Sequence, residues 1–403
     1  MNILYFHQHF STPKGSSGIR SYEMAKRLVN NGHSVTMVCG SYSGGSTGLT
    51  QDFHKGRRSG NVDGINVIEF ELKYSNNDGF LKRSWLFLLF AIRSINIALF
   101  HKADLIFATS TPLTAGIPGV VAKWLKRTPF VFEVRDLWPE LPREMKVITN
   151  PIILSLLGAL EWMSYKSADR LIGLSPGIVR GIERHNIELE KIALIPNGCD
   201  LDIFNSQKQP WRPKGVSQDN FMAVFTGAHG IANGLDAVLD AAAELLKTNN
   251  TNIKIVLIGQ GKLKGSLKSR AIDENLNNII FLDPVPKDEL VGLMASADVG
   301  LQVLANIESF YYGTSPNKFF DYLASGLPVI TNYPGWVADL ISVNNCGYVT
   351  PPSDSKAFAN TLIKAEKNKE ASNNLRMNAL KLAKTEFSRE SLGLKFVSWI
   401  ENK

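Results

Sequence analysis

The chain has 403 residues, 44% of them hydrophobic and 20% charged, an ordinary globular composition that argues against disorder and leaves room for two or three domains at roughly 150 residues each. Its formal charge is +7, but residues 1–200 hold 23 Lys and Arg against 17 Asp and Glu, a surplus of +6, whereas residues 201–403 hold 21 against 20. With no dense basic run and no aromatic–basic alternation, this surplus does not indicate nucleic acid; an anionic membrane or a diphosphate-linked substrate fits it better.

In chain order, the first predicted element is a strand over Asn2–His7, with no signal-peptide layout before it. A Gly/Ser-rich loop follows from Pro13 to Gly18, then a helix over Ser21–Asn31 in which Met24 and Leu28 recur at helical spacing. Gly32 stops that helix, and Ser34–Cys39 is a second strand of mostly apolar residues. Strand, helix and strand make the βαβ unit of a parallel sheet. Further strands are expected over Ile65–Phe70, Leu105–Ala108, Pro129–Glu133, Arg170–Gly173 and Ala193–Pro196. Among them lies an aromatic-rich helical stretch, Phe80 to His101, flanked by Lys82, Arg83, Arg93 and Lys102. It fits core packing or a helix lying in a membrane interface. Its uninterrupted apolar run, Trp85 to Ile92, is eight residues, where about 20 are needed to span a bilayer. The expectation is a protein that does not cross the membrane.

Lys208–Gly215, with Pro210 and Pro213, reads as a linker. A second alternation then begins with strand Phe221–Thr226, helix Gly234–Lys247 and strand Ile253–Ile258. Strands Ile279–Leu282 and Val299–Leu301, helix Pro316–Ala324 and strand Pro328–Thr331 continue it. The fold class is therefore α/β: two Rossmann-like doubly wound domains facing across a cleft. The expected boundaries are 1–204 and 216–387, with a C-terminal helix at 388–403 returning to the first domain through Leu394, Phe396, Val397, Trp399 and Ile400.

Four segments carry candidate chemistry. Gly15-Ser16-Ser17-Gly18 precedes a helix, where free N–H groups attract phosphate; an ordinary strand–helix turn reads the same way. Glu133-Val134-Arg135-Asp136 puts charges at a strand end, where doubly wound sheets bind ligands; the alternative is a buried acid paired with Arg135. Thr226-Gly227-Ala228-His229-Gly230, with Asn233 and Gly234, repeats the first loop in the second domain, and Gly259 follows the next strand. His229 reads equally well as a loop histidine with no proton to move. The most specific segment is Ser315-Pro316-Asn317-Lys318-Phe319-Phe320-Asp321 through Ile330. Pro316 suits a first helical turn, and Lys318 and Asp321 share a face. The helix start with its Lys suits a diphosphate, and the carboxylate one turn on suits ribose hydroxyls; the alternative is a Lys318–Asp321 surface pair.

Together with Gly32-His33-Ser34-Val35, Pro196-Asn197-Gly198-Cys199-Asp200 and Ile258-Gly259-Gln260-Gly261, these segments resemble glycosyltransferase family 4, the retaining GT-B enzymes. Within it the chain is similar to the L-fucosamine transferases of O-antigen and capsule clusters, over nearly its full length. The resemblance implies transfer of an N-acetylated sugar from a UDP-sugar to a polyprenyl-diphosphate-linked saccharide, on the cytoplasmic face of the inner membrane and without a metal. It implies donor contacts from Gly15, Ser17, Gly18, Gly227, His229, Gly230, Asn233, Gly259, Ser315 and Asn317, with Asp321 on the ribose. The candidate catalytic residues are Lys318, Arg135 and Asp136, the last positioning the acceptor or its proton. His33 is expected to serve packing.

The chain also departs from the family. The first of the family's two glutamates would fall at Gly313, with Glu308 five residues earlier, so Tyr311-Tyr312 and the residues after them are expected to shape a different sugar pocket. The Arg and Lys usual in the second glycine loop correspond to Ala228 and Asn233, so the cation must come from Lys318 or, second, Arg135. Asp200-Leu201-Asp202 looks like a metal-binding Asp-x-Asp but lies in the inter-domain segment. Cys39, Cys199 and Cys346 form neither a zinc spacing nor a disulfide framework, which fits a reducing cytoplasm. Two other classes remain: an NAD-dependent oxidoreductase, disfavoured because Gly-x-Gly-x-x-Gly is missing, and a non-catalytic scaffold that binds sugar nucleotides.

Overall fold

The computed structural model describes residues 1–15, 18–75, 78–204 and 208–401, so Ser16 and Ser17 of the first loop lie outside the described residues. The chain divides into two compact units. Unit one takes in Met1–Pro196, Tyr312–Ser315 and the C-terminal stretch from Glu390; unit two takes in Asn197–Tyr311 and Pro316–Arg389.

Unit one is built on eight strands: β1 (Asn2–Phe6), β2 (Ser34–Tyr42), β3 (Arg57–Val62), β4 (Ile65–Tyr74), β5 (Leu105–Thr109), β6 (Phe130–Val134), β7 (Arg170–Gly173) and β8 (Ile192–Leu194). Their order is β3-β4-β2-β1-β5-β6-β7-β8. All neighbours are parallel except β3 and β4, an antiparallel hairpin that the periodicity did not reveal. The hairpin strand β3 alternates exposed and half-buried residues, as an edge strand does, so it lacks the continuous apolar run of a central parallel strand. β5 has that run from Leu105 to Ala108, and β5 and β6 are both buried throughout. The chain goes from β1 to β2 on one side and returns with β5 on the other. The carboxyl ends of β1 and β5 therefore form a topological switch point, where doubly wound sheets bind ligands.

Helix α1 (Arg20–Asn30) packs Met24, Ala25 and Leu28 inward, as its spacing predicted. Helix α2 (Phe80–Phe100) is a continuous 21-residue element, far longer than its eight-residue apolar run, and is long and apolar enough to cross a membrane by length and composition. It buries Leu86, Phe90, Ala91, Ser94, Ile97 and Ala98. Its other face exposes Leu81 (82%), Trp85 (59%) and Phe100 (79%). Helix α3 (Ile117–Lys126) packs beside α2, and the helix Pro151–Ser167 beside α3. The final helix, Arg389–Glu401, brings buried Phe396 edge-on to Phe107 of β5 at 5.3 Å, with Val397 and Ile400 also buried. Leu394, expected in this contact, instead faces solvent at 63% exposure: it lies two residues from each of the buried Leu392 and Phe396, a step of about 200° around the helix. His33 ties the end of this helix through Nε2 to Glu401 at 2.9 Å.

Unit two has six parallel strands in the order β11-β10-β9-β12-β13-β14: β9 (Phe221–Thr226), β10 (Ile253–Ile258), β11 (Ile279–Leu282), β12 (Val299–Gln302), β13 (Val329–Thr331) and β14 (Gly347–Val349). β9 lies between β10 and β12, so a second switch point falls beyond its carboxyl end. Ala223, Phe225, Leu239, Leu257, Leu301 and Ile330 are fully buried in one apolar core. The expected linker is fastened to this unit: Arg212 donates to the carbonyls of Asn220 (2.7 Å) and Ser296 (2.7 Å), and Trp211 Nε1 to that of Glu289 (3.0 Å).

Candidate active site

In unit two the loop after β9 and the loop after β10 meet backbone to backbone. A Cβ on Gly259 would stand 1.8 Å from the carbonyl oxygen of Gly227, so only glycine permits this crossing. The His229 N–H donates to the Gln260 carbonyl at 3.0 Å and locks the loops together. The His229 ring turns inward, fully buried beside Phe225 and Phe281, with no hydrogen-bond partner on either nitrogen among the described residues. Burial, with Lys264 and Lys268 nearby, pulls its pKa down to about 4, so the ring is a neutral packing group. Gly227 and Ala228 are left exposed on the loop, and Gly230 half-buried. Asn233 bridges the turn, its Nδ2 donating to the Ala228 carbonyl at 2.7 Å.

Lys318 reaches this loop from the helix Asn317–Ala324. Its Nζ donates to Asn233 Oδ1 at 2.6 Å and sits 4.7 Å from the centroid of the Phe225 ring. A Cβ on Gly227 would touch its Cε at 3.1 Å. Lys318 is therefore not half of a surface pair with Asp321. It carries its amine across to Asn233 of the loop after β9. Desolvation there lowers its pKa to about 7. Pro316 caps the helix in an extended conformation, Asn317 is its first residue, and Ser315 precedes the cap and groups with unit one.

Asp321, on the same helix, accepts from Lys287 Nζ at 2.9 Å. Lys287 also bonds Asp200, which in turn holds Arg389, whose Nη2 lies 3.1 Å from Asp200 Oδ2. The Asp200 carboxylate is thus enclosed by two cations, and together they hold its pKa below the ordinary value despite burial. At Asp321, burial outweighs the single Lys287 contact and the pKa is raised. Sequence reasoning missed Lys287 and Arg389. One signal existed for Lys287: a lysine as first residue of a helix opposes the dipole, and such a placement calls for acidic partners.

In unit one, Glu133 pairs with Arg20 and not with Arg135. Arg20 Nε and Nη2 donate to Glu133 Oε2 at 3.0 and 2.8 Å, Thr109 donates to Oε1 at 2.8 Å, and Arg20 also reaches the carbonyls of Ile195 and Pro196. Both side chains are fully buried, so this is a satisfied structural pair. Arg135 and Asp136 extend beyond β6 to the switch point. Arg135 Nη1 lies 3.2 Å from Nε2 of His7, the residue just after β1, and Thr111, beyond β5, donates to Asp136 Oδ2 at 3.1 Å. Burial, the Arg135 charge and His9 hold His7 well below its usual pKa, leaving it a neutral acceptor for Arg135. Burial raises the Asp136 pKa against the opposing pull of Arg135. His7 was missed because a single histidine after a strand has no distinguishing pattern.

Gly15 packs against the loop after β2: a Cβ there would meet Ser11 Oγ at 2.2 Å and the Ser46 N at 2.9 Å. Gly18 is exposed just before α1, and Ser17 lies outside the described residues. Glu308 is exposed at the start of the short helix Glu308–Tyr312, and Gly313 is buried. The Tyr311 ring stacks on Tyr333 at 6.4 Å, while the Tyr312 hydroxyl donates to Glu140 within unit one.

Comparison with known proteins gives this geometry a family. Residues 15–198 match the glycosyl transferase 4-like domain, and residues 207–382 match the glycosyl transferases group 1. The probable glycosyltransferase WbjE of Pseudomonas aeruginosa is 23% identical over 307 residues, 72% of this chain and 73% of that protein. The O-antigen chain mannosyltransferase C of Escherichia coli is 23% identical over 56% of this chain and 59% of its own. Among solved structures, Anabaena HepE in complex with UDP and glucose superposes with a TM-score of 0.70 at 18% identity, over 100% of both chains. The nicotinamide-dependent oxidoreductase reading finds no support among these matches. The fold is GT-B, with a stretch similar to the glycosyl transferase 4-like domain followed by one similar to the glycosyl transferases group 1.

Proposed function

We propose that the protein transfers a sugar from a UDP-sugar to a hydroxyl of a saccharide carried on a polyprenyl diphosphate, in assembly of a surface polysaccharide such as O-antigen. The observation that carries this reading is the ammonium of Lys318 beside the Gly227–Gly259 backbone crossing. When the bond from the sugar C1 to the diphosphate oxygen breaks, negative charge grows on the diphosphate, and a preorganised cation with backbone N–H groups stabilises it. The acceptor oxygen then bonds to C1, and its proton leaves to the departing diphosphate. Asp321, held by Lys287, takes the ribose hydroxyls. Arg135 and Asp136 serve the acceptor side. No metal enters this scheme, because Lys318 supplies the compensating charge. The names of relatives support the pathway, and bound UDP in HepE supports the donor class. An N-acetylated sugar, L-fucosamine first, is the preferred donor.

The exposed apolar residues of α2, flanked by Lys82, Arg83 and Arg93, support peripheral attachment to an anionic inner membrane. The deciding experiment incubates the protein with a panel of UDP- and GDP-sugars and lipid-linked acceptors and follows the products by mass spectrometry. A product formed only with one UDP-sugar is expected. UDP binding without turnover on any acceptor would favour the scaffold reading.

A further inference from the structure

The hairpin β3–β4 and the loop after β2 enclose a cavity of about 220 Å³ in unit one. Its wall includes Tyr42, Ser46, Thr47, Leu49, Arg58 and Glu69. Arg58 and Glu69 stand directly opposite each other across the antiparallel pair. Arg58 Nε donates to Glu69 Oε2 at 2.8 Å, and Thr47 Oγ1 donates to the same oxygen at 2.5 Å. Glu69 is 3% exposed. A carboxylate offers acceptor sites on both oxygens, yet among the described residues Oε1 takes no hydrogen bond. The guanidinium is fixed just as firmly. Nη1 donates to the Gln51 carbonyl at 3.0 Å and the group stacks over Phe53 at 4.5 Å, which leaves Nη2 for the cavity. The Tyr42 ring is set by an edge-on contact with His9 at 5.2 Å.

A cross-strand ion pair that only pinned the hairpin would not need a cavity beside it. Here a fixed acceptor and a fixed donor sit side by side in a small chamber with an aromatic and an aliphatic wall. Their charges cancel, so the chamber suits a neutral ligand and not a phosphate. Drug-sized ligands occupy pockets of about 300–1,000 Å³; this one is smaller and admits a single ring. A pyranose meets all these conditions: one hydroxyl donates to the carboxylate, its neighbour accepts from the guanidinium, and the C–H face lies on the aromatic ring. We propose that this chamber is a subsite for one uncharged sugar ring of the acceptor, an assignment whose acceptor role rests on the glycosyltransferase reading above.

Saturation-transfer NMR tests it, with octyl glycosides of glucose, galactose, N-acetylglucosamine and N-acetylgalactosamine as probes, octanol as the tail control and UDP as a separate donor-site probe. Ring-proton signals are expected from at least one glycoside and none from octanol. Glu69→Gln keeps the size of the side chain and its contacts with Thr47 and Arg58 but changes the group facing the chamber. Ser46→Trp fills the chamber from its rim while the backbone bonds of Ser46 to Ser11 and Thr12 remain. Both variants should weaken the glycoside signal about tenfold or more with UDP signals unchanged. Ring-proton signals of equal strength in both folded variants, or no ring-proton signal from any glycoside in the wild type, would overturn the subsite. Failure of the wild type to bind UDP would count against the glycosyltransferase reading instead, and the glycoside arm would still report on the chamber.

Discussion

Lys318→Met is the most informative perturbation of the proposed mechanism. Methionine keeps an unbranched stem against Phe225 and removes only the ammonium. That ammonium is 2.6 Å from Asn233 Oδ1 and stands against Gly227, so a diphosphate on this loop would lie within a few ångströms of it. Two unit charges 4 Å apart at an effective dielectric of 20 interact by about 4 kcal/mol. Loss of one preorganised donor to a developing anion costs about 2.7–4 kcal/mol, or a hundredfold to a thousandfold in kcat. Both routes give at least about a hundredfold. Lys318→Arg should recover only part of this, because a planar fork does not fit where the Lys Cε already meets Gly227 closely.

The pKa of about 7, set by desolvation, adds a pH signature. In the free enzyme the amine is charged below 7 and neutral above it. kcat/KM for the donor, which reports the free enzyme, should therefore fall through pH 7–8 in the wild type and lose that limb in Lys318→Met. Stability runs the other way. The folded pKa lies below the unfolded value of about 10.4, so the unfolded state binds more protons between them and stability rises with pH in that window. Lys318→Met should then melt no lower than wild type at pH 6. A UDP-release assay from pH 5.5 to 9 and thermal melts at both ends suffice. Turnover within about threefold of wild type by folded Lys318→Met, or a flat wild-type profile, would move the cation's role to Arg135.

Four further outcomes are expected. Asp321→Ala should weaken UDP binding by about 1.5–3 kcal/mol, the scale of hydrogen bonds to a charged group, measured by calorimetry; UDP binding unchanged would place the ribose elsewhere. Arg20→Met should destabilise unit one by about 3–5 kcal/mol, because it leaves buried Glu133 unpaired; a melting temperature equal to wild type would show that Thr109 alone satisfies the carboxylate. Reversing Lys82 and Arg83 to Glu, or replacing Leu81 and Trp85 by Ser, should reduce sedimentation with anionic liposomes, the charge reversal more so at low salt; equal binding by all forms would clear α2 of a membrane role. Turnover should persist in excess chelator, and complete loss restored by Mg²⁺ or Mn²⁺ would refute the metal-free scheme.

What the sequence made legible was whatever repeats or is locally determined. Central strands such as β9 and β10 show as apolar runs, unbroken from Phe221 to Phe225 and broken only by Lys254 from Ile253 to Ile258, so their limits could be read directly. The helix start at Pro316-Asn317-Lys318 was equally readable, because proline at a helix beginning has a local cause. What a side chain touches across the fold is set by topology and leaves no local trace. Lys318 and Asp321 share a helical face, and spacing alone pairs them; yet the loop after β9 draws Lys318 to Asn233, and Lys287 from another helix claims Asp321. Arg135 stands two residues from Glu133, but β6 ends at Val134, so Glu133 is held within the sheet against Arg20 while Arg135, beyond the strand, reaches His7. The hairpin β3–β4 escaped for a related reason: its half-buried edge strand has little apolar pattern, and its Arg58–Glu69 pair exists only once the register is set. Each of these missed partners is a charge whose neighbour comes from a distant part of the chain. Buried charges need such neighbours, so an acid or base amid apolar residues marks a site before its partner can be named.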